Sequence, residues 1–437
     1  MNTTRLATKV ISTFALGAQL FGAAACGEAD NNDDANNIVR SAKPRALTVT
    51  PLLDSKQLYA DGQSKFATAM HGQVRALDGN LVYSPFSMTS ALAMLYAGAK
   101  GNTATEMKSA LSFQLDGAPL FSAFNWADQE LASRGKGAKS ADGKPFRLNV
   151  VNDVWSQTGF AFDPTYLDTL AEHFGTGVHV QNFKLDPEGS RKTINDYVQK
   201  VTESRIKDLL PEKSIDTSTR LVLTNAVYMN AHWKVPFEPK ATNDAPFTKL
   251  DAQKANVKMM HQETYFSALV GNGYSAVELP YEDDNLSMLL VIPDAGTFGA
   301  FEGNFDAAKL HAVRTGMKVE RVELAMPRFE FPSTIPASDV MKKLGMVSAF
   351  GGGADLSGIT TSEPLKVAEI FHKAFIKVQE NGTEAAAATA VVIGPTSAAP
   401  IENRVKINAD RPFMFVISDK PTGTVLFMGR VLDPNAN

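Results

Sequence analysis

Residues 380–393 read Glu-Asn-Gly-Thr-Glu-Ala-Ala-Ala-Ala-Thr-Ala-Val-Val-Ile, and their local preferences conflict. The four alanines Ala385, Ala386, Ala387 and Ala388 are the best helix formers. Thr389, Val391, Val392 and Ile393 prefer a pleated strand. Gly382 supplies permissive backbone upstream, and Gly394-Pro395 closes the stretch with a turn signal. On composition alone an Ala-rich helix or a low-complexity linker is the stronger reading. Taken as a strand of period two, one face is Thr383, Ala385, Ala387, Thr389, Val391 and Ile393. That face is small, then apolar, and uncharged, while Glu384 falls on the other face. Such a segment could enter the middle of a sheet without burying a charge. With no proline before Pro395, it could donate every ladder hydrogen bond.

The 437 residues are 44% hydrophobic and 21% charged, an ordinary globular balance. A net charge of -4 gives no reason to expect nucleic acid or an anionic membrane as partner. The N-terminus reads as a targeting segment. Arg5 and Lys9 precede an apolar run from Val10 to Ala25, which ends at Ala23-Ala24-Ala25-Cys26. Residues 1–25 are therefore expected to be a signal peptide. Cys26, the single cysteine of the chain, resembles the acylated first residue of a bacterial lipoprotein, although Ala23 stands where such signals favour Leu. Plain secretion after an Ala-x-Ala cleavage is the alternative. Both imply export, with membrane attachment only through an acylated Cys26. Residues 26–47 are expected to be a disordered polar tether, with the folded domain over 48–437. Lacking cysteine, that domain has no disulfide framework and must rest on a large core.

Along the chain, Phe66, Met70 and Val74 suggest one face of a helix within 53–77. Asn80 to Ser87 reads as a short strand and a turn at Ser84-Pro85, with Ser87 capping a helix over Met88 to Ala99. Thr103 and Glu106 suggest a capping box. A helix is expected over Ser190 to Leu210. Leu221 to Met229 reads as a strand buried on both faces, in which Asn225 is expensive unless hydrogen-bonded. Further strands are expected at 276–280, 286–292, 319–326, 329–331, 371–378, 413–417 and 425–428. Basic residues among the glycines of 133–147 read as a solvated loop. No phosphate loop, metal cluster or nucleophile elbow is present, so neither cofactor nor metal is expected. The seven histidines are isolated in sequence, and no nucleophile–base pair suggests an enzyme.

Read together, Ser84-Pro85-Phe86-Ser87, Leu223-Thr224-Asn225-Ala226-Val227-Tyr228, Val277-Glu278-Leu279-Pro280-Tyr281, Ala354-Asp355-Leu356-Ser357-Gly358-Ile359, His372-Lys373-Ala374, Asn381-Gly382-Thr383-Glu384-Ala385-Ala386 and Arg411-Pro412-Phe413 resemble the serpins over essentially the whole domain. The resemblance implies an α+β fold of three β-sheets and about nine helices with an exposed reactive-centre loop. It also implies a monomer that inhibits a serine protease by a suicide mechanism. The protease acylates itself on the loop, and the cleaved loop then enters the large sheet as a new central strand. By the same resemblance Glu380 begins the hinge, and Gly382, Thr383, Glu384, Ala385, Ala386, Ala387 and Ala388 form it. Ser84, Ser87, Asn225 and His372 would lie beneath the sheet where its central strands part, with Trp233 at the top of the opening. The scissile bond is expected at Thr396-Ser397, with Ala398 as an alternative position. The uncharged, small window Gly394 to Ala399 suggests a target with a small first pocket, elastase- or subtilisin-like. Inhibition of a cysteine protease and a non-inhibitory binding role are the alternatives.

Overall fold

The computed structural model describes residues 37–47, 50–134, 146–282, 284–383 and 404–436. Their strands form a seven-stranded and a nine-stranded sheet. The resemblance implies three sheets, and hydrogen bonding joins the two smaller ones. The 17-residue strand Lys254–Val270 pairs near its start with Asn243–Thr248 and near its end with Tyr274–Pro280.

The large sheet runs, in spatial order, Ile38–Val39, Val178–Gln181, Arg147–Gln157, Leu221–His232, Gly382–Thr383, Glu369–Gln379 and Phe329–Ile335. Its centre is Leu221–His232, buried from Leu221 through Ala231. One face of this strand, Val222 and Ala226, packs with Val151 and Trp155 beneath Ile194 and Val198 of the helix Pro187–Val201. The other face is Leu221, Leu223, Asn225, Val227, Met229 and Ala231, as period two requires. Leu221 and Leu223 belong to a core built with Met88, Leu92 and Leu95 of the helix Pro85–Tyr96. Val227, Met229 and Ala231 belong to a second core shared with the nine-stranded sheet, where Phe329 meets Phe413 and Phe415 at ring separations of 5.9 and 5.8 Å. Asn225 stands at the junction of the two cores.

Four expectations are corrected. The helix after the first turn begins at Pro85, and its cap is Ser84, whose Oγ accepts from the Ser87 N–H. Proline suits the first helical position because its fixed φ matches the helix and its missing N–H would be unpaired there anyway. Thr103 and Glu106 form no capping box. The Thr103 hydroxyl accepts from Asp355 N–H and the Glu106 carboxylate from Val347 and Ser348 N–H, tying this helix to a distant loop. The Pro187–Val201 helix stops nine residues short of Leu210, because Glu203, Ser204 and Asp208 take left-handed φ values of 50–62° that no α-helix accommodates.

The fourth correction concerns the tether. The compact unit begins at Asn37, so residues 37–47 belong to the domain. Ile38 and Val39 add an edge strand against His179 and Val178. Arg45 donates to Asn125 at 2.8 Å and to Asp128 at 2.6 Å. Two β-branched residues were enough to pair with an open sheet edge despite the acidic run before them.

Candidate functional site

Three neighbouring strands of the large sheet carry a polar residue at the same level. Asn225 lies opposite Asn152 on one side and His372 on the other. The Ser84 backbone N–H donates to His372 Nε2 at 3.0 Å. An amide N–H can only donate, so Nε2 holds a lone pair and Nδ1–H is left to donate to Asn225 Oδ1. Asn225 Nδ2 then donates to Asn152 Oδ1 at 2.7 Å, and Ser87 Oγ donates to the same oxygen at 2.5 Å. Turning the Asn152 amide over would offer its NH₂ to the Val151 and Ser87 carbonyls at 2.9 and 3.1 Å, but would press it against the Asn225 NH₂ at 2.7 Å. The donor chain starting at Ser84 therefore fixes the first orientation.

This row pins the helix N-terminus to three strands at once. Burial pushes the His372 pKa down to about 3, so the ring is neutral at ordinary pH. Paired in this way, His372 and Asn225 interrupt an apolar sheet face without the cost of an unpaired buried group. The resemblance named Ser84, Ser87, Asn225 and His372, and the structure brings all four together. It adds Asn152, which the sequence reading missed. The available signal was an Asn between Val150 and Val154, on the strand face that also carries Leu148.

Above this row the two central strands separate. Leu221–His232 and Glu369–Gln379 pair in parallel only over Val222–Val227 and Glu369–Ala374. At the far end Gly382–Thr383 sits between them, antiparallel to both: Gly382 opposite Gln379 and His232, Thr383 opposite Val378 and Ala231. A Cβ at residue 382 would lie 2.0 Å from the Ala231 carbonyl oxygen, and φ is +154°, so glycine is required there.

The seat is closed by named groups. Thr383 is 3% exposed and its hydroxyl shares a 2.6 Å hydrogen bond with Tyr281 OH. The Tyr281 ring stacks on Trp233 at 4.6 Å. Trp233 Nε1 donates to the Gln379 carbonyl at 3.0 Å, and its backbone N–H donates to the Asn381 carbonyl at 2.9 Å. Glu380 accepts from Arg328 Nε at 2.7 Å and from Thr242 Oγ1 at 2.5 Å. Burial pushes the Glu380 carboxyl up, but the Arg328 and Thr242 hydrogen bonds outweigh it and hold it below the usual carboxylate range. Trp233, Glu380, Gly382 and Thr383 thus form one cluster. The remaining expected site residues, Cys26, Glu384, Ala385, Ala386, Ala387, Ala388, Thr396, Ser397 and Ala398, lie outside the described residues.

The class this fold defines is a large mixed sheet parted at its centre, with the two-residue strand Gly382–Thr383 seated in the gap. Residues 61–434 match the family model for serpins, serine protease inhibitors. The chain is 36% identical over 418 residues to an uncharacterized serpin-like protein of Thermococcus kodakarensis, covering 93% of this chain and 95% of that one. It is 33% identical over 369 residues to the leukocyte elastase inhibitor of Bos taurus, covering 82% and 93%. The solved native state of the thermophilic serpin tengpin superposes with a TM-score of 0.78 at 25% identity, covering 90% of this chain and all of that one. The chain belongs to the serpin family, and membership supports protease inhibition as its general activity. Among the described residues no helix is long and apolar enough to cross a membrane.

Proposed function

We propose that this chain is a suicide inhibitor of serine proteases with a small first pocket, acting by insertion of its cleaved loop into the large sheet. The observation that carries the reading is the register of the seated hinge. Gly382–Thr383 pairs with both central strands, and its register can be carried forward one residue at a time on each side. Both extrapolations bring Thr389 opposite the polar row, facing Asn225 on one strand and His372 on the other. Ala385 then faces Met229 and Ile376, and Ala387 faces Val227 and Ala374. Leu221, the first residue of its strand, meets Ile393, immediately before Gly394-Pro395. The segment therefore matches the sheet in length, in side-chain size and in the one position where a hydroxyl is useful. Insertion breaks the Asn225–His372 hydrogen bond, and Thr389 offers both a donor and an acceptor in its place.

In the reaction, the protease serine attacks the Thr396 carbonyl. The amide bond to Ser397 breaks, the amine leaves with the C-terminal fragment, and an ester joins inhibitor to protease. Residues 383–393 then add about ten ladder hydrogen bonds at a net ~1 kcal/mol each, a gain on the order of 10 kcal/mol. That equals the stability of a whole domain, enough to drag the protease and distort its site before the ester is hydrolysed. The chain is then a stoichiometric trap and not an enzyme. Relatives named leukocyte elastase inhibitor favour the small-pocket target. We read residues 1–25 as a signal peptide and Cys26 as the acylation point of a cell-surface form, with simple secretion as the other route to the same compartment.

The test is incubation with elastase, subtilisin and trypsin followed by denaturing gel electrophoresis. Covalent complexes are expected with elastase or subtilisin. A complex with trypsin and none with the other two would overturn the assignment.

A further inference from the structure

Asn-Gly occurs twice in this chain, at Asn272-Gly273 and at Asn381-Gly382. This dipeptide is chemically labile because glycine leaves its main-chain nitrogen unhindered. That nitrogen attacks Cγ of the preceding asparagine side chain. The N–Cγ bond forms, the side-chain amide C–N bond breaks, and ammonia leaves. Water opens the resulting succinimide to aspartate or isoaspartate, so the step needs no reagent beyond water. It does need the Asn ψ angle free to turn the glycine nitrogen toward the side chain.

The two sites differ in that freedom. Asn272 is exposed in the turn between Lys254–Val270 and Tyr274–Pro280. Asn381 is 7% exposed, and the backbone is held on both sides of the labile bond. The Glu380 carbonyl accepts from Phe237 N–H at 2.8 Å and the Asn381 carbonyl from Trp233 N–H at 2.9 Å. Gly382 lies tight against the Ala231 carbonyl, Thr383 is bonded to Tyr281, and the Glu380 side chain is clamped by Arg328 and Thr242. The rotation that closes the ring breaks these contacts.

We propose that Asn381 is a self-modification site whose reaction is gated by the seating of the hinge. While the hinge sits between the central strands, the reaction is blocked; each excursion from the seat exposes it. The product is permanent. It adds a carboxylate beside Glu380, and isoaspartate also inserts a methylene into the main chain, which shifts Gly382 and Thr383 off their register with Ala231–His232 and Val378–Gln379. A transient unseating becomes a covalent record, and the marked molecule can no longer reseat. The inference rests on the seated geometry and is independent of which protease is inhibited, or whether any is.

The full chain is held in mildly alkaline buffer, and peptides containing Asn272 and Asn381 are quantified for aspartate and isoaspartate in the same digest. In the wild-type protein Asn381 should convert at least ~10-fold more slowly than Asn272, because its reaction requires a local opening. Tyr281→Phe and Arg328→Ala each remove one clamp and should accelerate Asn381 several-fold, leaving Asn272 unchanged. Near-ultraviolet circular dichroism confirms that each variant is folded. Tyr281→Phe serves as the conservative variant should Arg328→Ala fail to fold. Equal conversion at the two sites in the wild type, or an Asn381 rate indifferent to the loss of a clamp in the folded variants, would overturn the proposal.

Discussion

Thr383→Arg tests whether insertion begins where the hinge is seated. Thr383 is 3% exposed, its hydroxyl meets Tyr281, and its neighbours across the gap are Ala231 and Val378. An arginine there has two choices. It can bury a guanidinium among Tyr281, Ala231 and Val378 in place of the Thr383–Tyr281 hydrogen bond, which costs several kcal/mol. Otherwise it keeps the strand out of the gap. The whole inserted strand still gains on the order of 10 kcal/mol, so the end state survives, but the first step of insertion is obstructed. A barrier raised by ~3–4 kcal/mol slows that step by roughly 10²–10³-fold, while hydrolysis of the acyl-enzyme continues at its own rate. The assay titrates a fixed amount of elastase with inhibitor and follows residual activity and covalent complex together. The wild type should inactivate the protease near one to one. Thr383→Arg should need at least ~10-fold more and accumulate as cleaved chain, whereas Thr383→Ser should resemble the wild type. An unchanged stoichiometry for Thr383→Arg would refute the reasoning.

Three further outcomes follow from the same geometry. The folded pKa of His372 is depressed to about 3 from an unfolded value near 6.5, so its contribution to stability is complete above about pH 6.5 and is lost on acidification at up to ~1.4 kcal/mol per pH unit. The melting temperature of the intact chain should therefore fall between pH 7 and 5, and His372→Gln, less stable at pH 7, should show a flatter profile. Thr389→Val removes the hydroxyl expected to satisfy Asn225 and His372 after insertion, at ~1–3 kcal/mol. Calorimetry should show the cleaved form destabilised more than the intact one. Thr396→Arg supplies the side chain that a trypsin-like pocket binds, and should create a trypsin complex on denaturing gels where the wild type gives none.

The strands were legible because burial on both faces leaves nearly continuous apolar runs, as in Leu221–His232 and Phe413–Asp419. The conflict within residues 380–393 was legible too, although composition alone favoured a helix or linker and the strand reading came from the neighbouring motifs His372-Lys373-Ala374 and Arg411-Pro412-Phe413. Other features were hidden for identifiable reasons. Asn152 carries the same letter as any solvent-facing asparagine; what distinguishes it is Asn225 on the next strand and Ser87 below, contacts between residues 65–73 apart in sequence. Ser84 and Ser87 both suit a cap, and the choice depended on Pro85 entering the helix. Thr103 and Glu106 satisfy a local motif, yet bind residues about 240–250 positions away. Residues 37–47 look too polar to fold, and they do so by completing the sheet edge and joining Asn125 and Asp128.

The central claim is that the large sheet accepts residues 383–393 as a strand between Leu221–His232 and Glu369–Gln379. Comparing thermal unfolding of the intact chain with that of the chain nicked once within 394–399 tests it most directly. About ten new ladder hydrogen bonds, at ~1 °C per kcal/mol for a domain of about 390 residues, predict a melting temperature raised by about 10 °C on cleavage. A nicked chain that melts at or below the temperature of the intact one would contradict insertion, and with it the mechanism.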